Sequence, residues 1–463
     1  MGIGKFRKII SDKTKPNIID CFIVIALIVV CYFSFNHADI LATSTHGKDL
    51  LVCIFKGNFF DFYDFTSSTA VYSIILYLVF AIWSIPVCVV YKLFGLTLWG
   101  ILDYSGIPYP VLMWYKLLPT LFYIGIAYLL YKIVLELRLD EKIAKWAFFL
   151  FISSPIAMFS QFVFGQYDAI GLFFTVLALY MFIKKKYIYF SVCMSFAITF
   201  KMFALFVFIP LVLLFEKRVL HIIKHFVIGI SLYFLTILMF INSKGYKDAL
   251  SFSGDIKDRL FMNGISTQMG TISFFTCVMI LLCVFAYVKK CDDDTEFNTY
   301  ALYITFAAFA ALFTFILWHP QWVIWVVPFM TLAILLYSNT NISLILQISM
   351  FVGYIGVTVK SFANNVDANM LSLGAFRNIY AQKAPLSLDN LFSRFFGNCS
   401  QNLYFSLFAG SLLAMALLYF PAYKKEESVL VTKKYDIGDR LFILARPISI
   451  CLFVLPSFYY LFR

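Results

Sequence analysis

The sequence predicts an all-α polytopic membrane protein, and three observations carry that expectation. Of 463 residues, 62% are hydrophobic and only 13% charged, where a soluble domain carries about 25% charge. Apolar runs of roughly 15 to 25 residues recur from end to end, the length that crosses a bilayer as helix. Clusters of Lys and Arg punctuate those runs, and positive residues concentrate in cytoplasmic loops. No stretch is polar enough for a sizeable soluble domain. The net charge of +12 would raise nucleic-acid binding in a soluble protein. Here it is read as orienting loops and meeting anionic lipid, with no nucleic-acid partner. The ten cysteines fall mostly inside apolar runs without CxxC or zinc spacing, so most serve as small packing residues.

Taken in order, Lys5, Arg7, Lys8, Lys13 and Lys15 hold the N-terminus inside, and 18–35 is a retained first span. Residues 36–68 form an outer loop with His37, Asp39, His46, Asp49, Asp61 and Asp64 among aromatic residues. Residues 72–94 are apolar enough to cross. A crossing there would turn Arg138, Lys142 and Lys145 outward, so the segment is expected to be an interfacial or re-entrant pair of helices broken near Pro86. It lies within one long first outer loop, 36–114. Next come spans 117–135, 146–162 and 170–183, with Asp168 at an outer turn. Residues 187–215 carry bases at both ends and are expected as two half-length helices with their tip near Thr199, Phe200 and Lys201. Further passes are 226–241, 272–288, 300–317, 323–337, 342–359, 403–419 and 441–461, with outer loops 242–267 and 360–402. The sum is about 13 passes, counting the short hairpin as two. Residues 1–337 form one module and 338–463 a C-terminal set of helices.

Four constellations carry chemistry. Asp39 lies just past the first helix, where low-dielectric walls suit a general base; the plain alternative is a solvated loop acid. Asp61 and Asp64, set among aromatics, suit a sugar face or simply sit in an aromatic belt. Gln166, Tyr167 and Asp168 offer an amide and a carboxylate to a sugar, or Asp168 caps the following helix. Lys201 in apolar surroundings calls for an anion such as a phosphate, or snorkels to the interface. In the turn Trp318-His319-Pro320-Gln321-Trp322, His319 suits a phosphate oxygen and the Trp pair a sugar or lipid, or the turn is an aromatic belt with a helix-starting proline. Arg377, Lys383, Arg394, Lys257 and Arg259 are further bases of the outer side. No P-loop, dinucleotide fingerprint, HExxH or GxSxG turn is present, which argues against a nucleotide-driven enzyme or pump.

Gly165-Gln166-Tyr167-Asp168-Ala169-Ile170, followed by an apolar helix, Lys184-Lys185-Lys186, Thr199-Phe200-Lys201-Met202-Phe203 and Pro210, resembles integral-membrane glycosyltransferases of the GT-C superfamily. The likeness is to the bacterial branch similar to GPI-anchor mannosyltransferases. His319-Pro320-Gln321-Trp322 is similar to a turn in the same relatives, and the resemblance covers roughly residues 15–335. It implies a GT-C-like bundle and a polyprenyl-phosphate-linked monosaccharide donor, a mannose-like hexose. It also implies an envelope glycan or glycolipid acceptor at the outer leaflet, and inversion at the sugar. Asp39 matches the family's base, with Asp61 and Asp64 in reserve; Gln166, Tyr167, Asp168, Lys201, His319, Gln321, Trp322 and Arg377 would bind substrate. No cofactor beyond the lipid donor is implied, and a divalent metal is left open. The location implied is a bacterial inner membrane, or the endoplasmic reticulum in a eukaryote. Two competitors stay open: a transporter or flippase for a lipid-linked sugar, which calls for internal repeats and broken helices, and a polysaccharide polymerase or ligase, which calls for an arginine-rich outer loop.

Overall fold

The computed structural model describes residues 16–66, 69–100, 102–103, 106–252, 254–336, 340–380, 389–390, 393, 397, 400–421 and 440–462. Most of them are helical. Six helices are long and apolar enough to cross a membrane, and up to eight if each of two bent pairs counts as one crossing. The other apolar helices are shorter, at 10–17 residues.

The first helix, α1 (Ile18–Ser34), starts on a capping box in which Asn17 and Asp20 satisfy each other's backbone N–H groups. It bends by 68° into α2 (Ala38–Phe55). Much of the segment expected as an open outer loop is therefore helix, and His46, Lys48 and Asp49 are buried on it rather than solvated. Lys48 explains their burial. Its ammonium pairs with Asp49 (2.8 Å) and donates to the carbonyls of Trp99 and Gly100 (3.0 and 2.9 Å), pinning that stretch of chain against α2. A buried charge is tolerable only when paired and hydrogen-bonded in this way.

The next helix, α3 (Ile74–Leu93), corrects the expectation of a break: Pro86 lies inside one continuous helix. Its length alone permits a crossing. Where α4 (Tyr109–Glu136) begins, Tyr109 donates to Phe33 O (2.7 Å) and Tyr32 donates to Met113 O (2.7 Å). The far end of α1 and the start of α4 are therefore held together. Within it, α3 meets α4 through the Trp83–Trp114 stack (4.5 Å) and the Tyr115–Ser84 hydrogen bond (2.8 Å), both within the first two turns of α4. That placement suits a helix lying across the end of the bundle.

Helix α5 (Glu141–Ile152) is broken by 49° at Ser153 and Ser154, then continues as α6 (Pro155–Met158) and a π-helical turn, Phe159–Phe164. Helix α7 (Asp168–Ile183) returns. The expected half-length pair is present as α8 (Tyr187–Phe200) and α9 (Leu205–Phe215), with the chain extended at Lys201 between them. Then follow α10 (Val219–Phe240), α11 (Lys244–Phe252) and α12 (Gly254–Met262). A hairpin of β1 (Gly264–Thr267) and β2 (Gly270–Ser273) leads into α13 (Phe274–Val288). The loop expected at 242–267 is thus folded. Helix α14 (Asp294–Phe315) precedes a 3-10 turn, Pro320–Val326, and α15 (Val327–Leu336). Helix α16 (Thr340–Ser372) kinks at Phe362, α17 spans Gln401–Leu418, and the expected last span is two pieces, α18 (Arg440–Ile448) and α19 (Cys451–Phe462). Lys383 and Arg394 lie outside the described residues, and the nine described cysteines are unpaired.

Two buried cations hold the broken helices. A helix C-terminus leaves carbonyls without intrahelical partners, and a cation placed there answers both the hydrogen-bond deficit and the dipole. Lys116 donates to Tyr32 O (2.7 Å) and Phe35 O (2.6 Å) where α1 ends, and to Phe162 O (2.7 Å) in the π turn. All three of its protons are used. Arg446 does the same at the other break, bonding Leu150 O (3.0 Å), Ser153 Oγ (3.3 Å) and the Gln347 side chain. Lys116→Met would leave three acceptors buried, at about 1–3 kcal/mol each. The expected result is a clear fall in the detergent thermal unfolding midpoint with loss of helix order at 32–36; an unchanged midpoint would remove Lys116 from this role.

The opposite end of the bundle carries ion pairs: Lys184–Glu136 (3.6 Å), Lys185–Asp294 (2.5 Å) and Lys289–Glu296 (2.5 Å). The polarity of the bundle is therefore plain, with a lysine-rich rim at one end and the cluster described next at the other.

Candidate functional site

Gly165 sets the approach. It ends the π turn with φ +74°, and a Cβ there would stand 3.2 Å from Lys116 Cε. Only glycine takes that conformation without strain. The turn delivers Gln166 and Asp168 to the end of the bundle, both nearly inaccessible to solvent.

Asp39 stands at the centre. It occupies the first turn of α2, whose N-cap is His37; His37 Nδ1 accepts from Asp39 N (3.2 Å), and its ring stacks on Phe164 at 3.9 Å. Asn36, fully buried, ties the bend down by bonding Met370 O and Leu373 O (3.0 and 3.2 Å). Asp39 Oδ2 accepts from Gln166 Nε2 (3.1 Å) and Gln321 Nε2 (3.3 Å), so residues distant in sequence converge on one carboxylate oxygen. The side chain remains 36% exposed, enough for an incoming group to reach it. Because the carboxylate only accepts, both amide nitrogens must face it. That leaves Gln166 Oε1 and Gln321 Oε1 buried without a partner among the described residues.

Beside this set, Asp168 and Lys201 form a buried ion pair at 2.5 Å, with side chains 2% and 12% exposed. Trp325 Nε1 donates to the same Asp168 oxygen (2.8 Å), and Asp168 Oδ2 is left without a partner among the described residues. Asp168 is the first residue of α7 rather than its cap, so its carboxylate serves the site and not the helix end. Gly171 makes room: a Cβ there would meet the Trp325 ring at 3.2 Å. Lys201 sits at the extended break between α8 and α9, over Trp322 (4.7 Å) and Phe203 (5.1 Å). Trp322 also abuts His319 (4.6 Å). Arg259, reaching in from α12, donates to His319 Nε2 (3.1 Å). Burial, then Arg259 and Lys201, push the His319 imidazole down to about 4, so it is neutral at neutral pH and accepts from the guanidinium.

Asp39, Gln166, Asp168, Lys201, His319, Gln321 and Trp322 are thus brought together as expected. The remaining expected residues make other contacts. Asp61 and Asp64 are exposed, and Asp64 accepts from Gly245 N (2.7 Å), securing α11. Arg377 is exposed over the Tyr109 ring (5.8 Å), with no bond to the cluster among the described residues. Tyr167 turns its ring against Tyr72 (5.0 Å) and Phe80 (6.4 Å) and so locks the turn to α3. Sequence reasoning missed His37, Trp325 and Lys116 as site-building residues. A lone lysine in an apolar run was a usable signal for Lys116; Trp325, one aromatic among many, gave none.

These features define a multi-pass helical membrane protein with a charged, amide-lined site at one end of its bundle. No family model matches the chain, and no curated protein matches it.

Proposed function

We propose that the protein is a glycosyltransferase of GT-C type. It would move a monosaccharide, a mannose-like hexose, from a polyprenyl-phosphate donor to an envelope glycan or glycolipid. The observation that carries this reading is the meeting of a reachable carboxylate, Asp39, with two amides and a lysine at one bundle end. In this reading Asp39 takes the proton of the acceptor hydroxyl as that oxygen bonds to the anomeric carbon. The bond from that carbon to the phosphate oxygen breaks, the phosphate keeps the electron pair, and the configuration inverts. Arg259, oriented by His319, and Lys201 are the cations placed to steady the leaving phosphate. The unpartnered oxygens of Gln166 and Gln321 suit sugar hydroxyls. The lysine-rich opposite rim supports a cytoplasmic side there, and hence a site facing outward. About 13 passes, with the short hairpins counted, belong to this reading.

One observation favours a second reading, a transporter for a lipid-linked sugar. The breaks at Ser153–Ser154, at Lys201 and ahead of Pro320 interrupt three helices, and two of them adjoin the site. One experiment separates the two. Purified protein is given a panel of synthetic polyprenyl-phosphate hexoses and an acceptor lipid extract, and free polyprenyl phosphate is measured. Transfer is expected. No turnover, together with donor translocation in proteoliposomes, would overturn the enzyme reading in favour of transport.

A further inference from the structure

We propose that the β1–β2 hairpin is a membrane-docked element whose partner is the acyl-chain edge of the bilayer. It sits at the boundary where α13, shorter than the hydrocarbon core, stops, and it is joined to the helix that carries Arg259, which bonds His319.

The length of α13 comes first. Its 15 residues reach about 22 Å at 1.5 Å per residue, short of the ~30 Å hydrocarbon core. Its far end is held at the lysine-rich rim, where Lys217 donates to Ala286 O (2.8 Å) and Lys289 follows the last turn. Its outer face is exposed and apolar at Ile280, Leu281, Val284 and Val288, so lipid must cover it. The missing length therefore falls on the hairpin end. No charged residue stands between Arg259 and Lys289, so the uncharged stretch includes the whole hairpin.

The hairpin has the pattern for this position. Ile265 pairs with Ile272 across the ladder, and both are exposed. Ser266 pairs with Thr271. Alternation along a strand puts these two pairs on opposite faces, one apolar and one hydroxylic. Met269 at the tip is 98% exposed. Phe261 and Met262 extend the apolar strip backward. A two-stranded hairpin alone is marginal in water and needs a surface. The bilayer edge, continuous with the lipid-covered face of α13, is that surface. Unpaired ladder edges are costly in hydrocarbon, which places the ribbon at the hydrocarbon–headgroup boundary. Ser273 Oγ donates to Leu260 O (2.7 Å) and Phe274 N to Asn263 O (3.0 Å), so hairpin and α12 move together. Arg259 is one residue before that joint.

The test uses full-length protein in phosphatidylcholine–phosphatidylglycerol vesicles. A photoreactive benzoylphenylalanine is placed at Met269, at Leu281 as the lipid-facing reference, or at Asp294 as the water-facing one. Lipid adducts are counted by mass spectrometry. Adducts at 269 comparable with those at 281, and at least several-fold above those at 294, are expected. Adducts at 281 with none above background at 269 would overturn the docking. A second arm compares Met269→Asp with Met269→Leu by hydrogen exchange in the same vesicles. Faster exchange over 264–274 in the Asp variant alone is expected; equal exchange would overturn the proposal even if the labelled chains fold poorly. Neither readout depends on the transfer reaction.

Discussion

Asp39→Asn is expected to leave the protein folded and to lower sugar transfer by about 10²- to 10⁴-fold, the contribution of a positioned general base. Asparagine keeps the shape of the side chain and one acceptor oxygen, so one glutamine amide still has a partner. The His37 cap, which depends on the Asp39 backbone N–H, is untouched. What is lost is the ability to take a proton. The effect should therefore appear in kcat, with donor binding little changed, because the anion-facing groups Lys201 and Arg259 are not altered. Asp61→Asn and Asp64→Asn serve as controls: both residues are exposed, and transfer should stay within about twofold of the parent. Parental kcat for Asp39→Asn in the release of free polyprenyl phosphate would remove Asp39 from the base role.

The fold class was legible because membrane solvation writes itself into composition: long apolar runs and clustered lysines need no tertiary information. The turn at Gly165–Asp168 was legible for a related reason. An acid and an amide at the edge of apolar helices are expensive, so they stand out. The break at Lys201 followed from counting residues between two basic ends. Other features depended on partners distant in the chain. Pro86 invited a break, but α3 runs straight through it, since neighbouring packing outweighs a local preference. Asp61 and Asp64 looked as promising as Asp39 because an acid in a loop carries no mark of what it faces. Only the docking of Asn36, Gln166 and Gln321 around one bend separates them. Arg446 was hidden in the same way: near a basic tail it reads as one more charge, yet it is wholly buried at the Ser153 break.

Removing one partner of the Asp168–Lys201 pair should destabilise far more than removing both. Lys201→Met leaves a carboxylate that is 2% exposed with Trp325 Nε1 as its one side-chain donor among the described residues. Asp168→Leu leaves an ammonium facing Trp322 and Phe203, whose rings recover part of its solvation and no more. An uncompensated buried charge costs about 3–5 kcal/mol, whereas an apolar replacement of a whole buried pair is often neutral. The double variant should thus lie closer to the parent than either single one, with a coupling larger than the greater single effect, about 3 kcal/mol or more, in a thermodynamic cycle read from denaturant unfolding in mixed micelles. Asp168→Leu should be the milder single change, because Lys201, at 12% exposure, has a route to water that Asp168 lacks. If the two single effects simply add in the double variant, the pair is not acting as a unit. The 2.5 Å contact would then contribute proximity without coupling. A coupled result with transfer abolished in the double variant would separate the two duties of the pair: each charge keeps the other inside, and together they keep a cation beside Asp39.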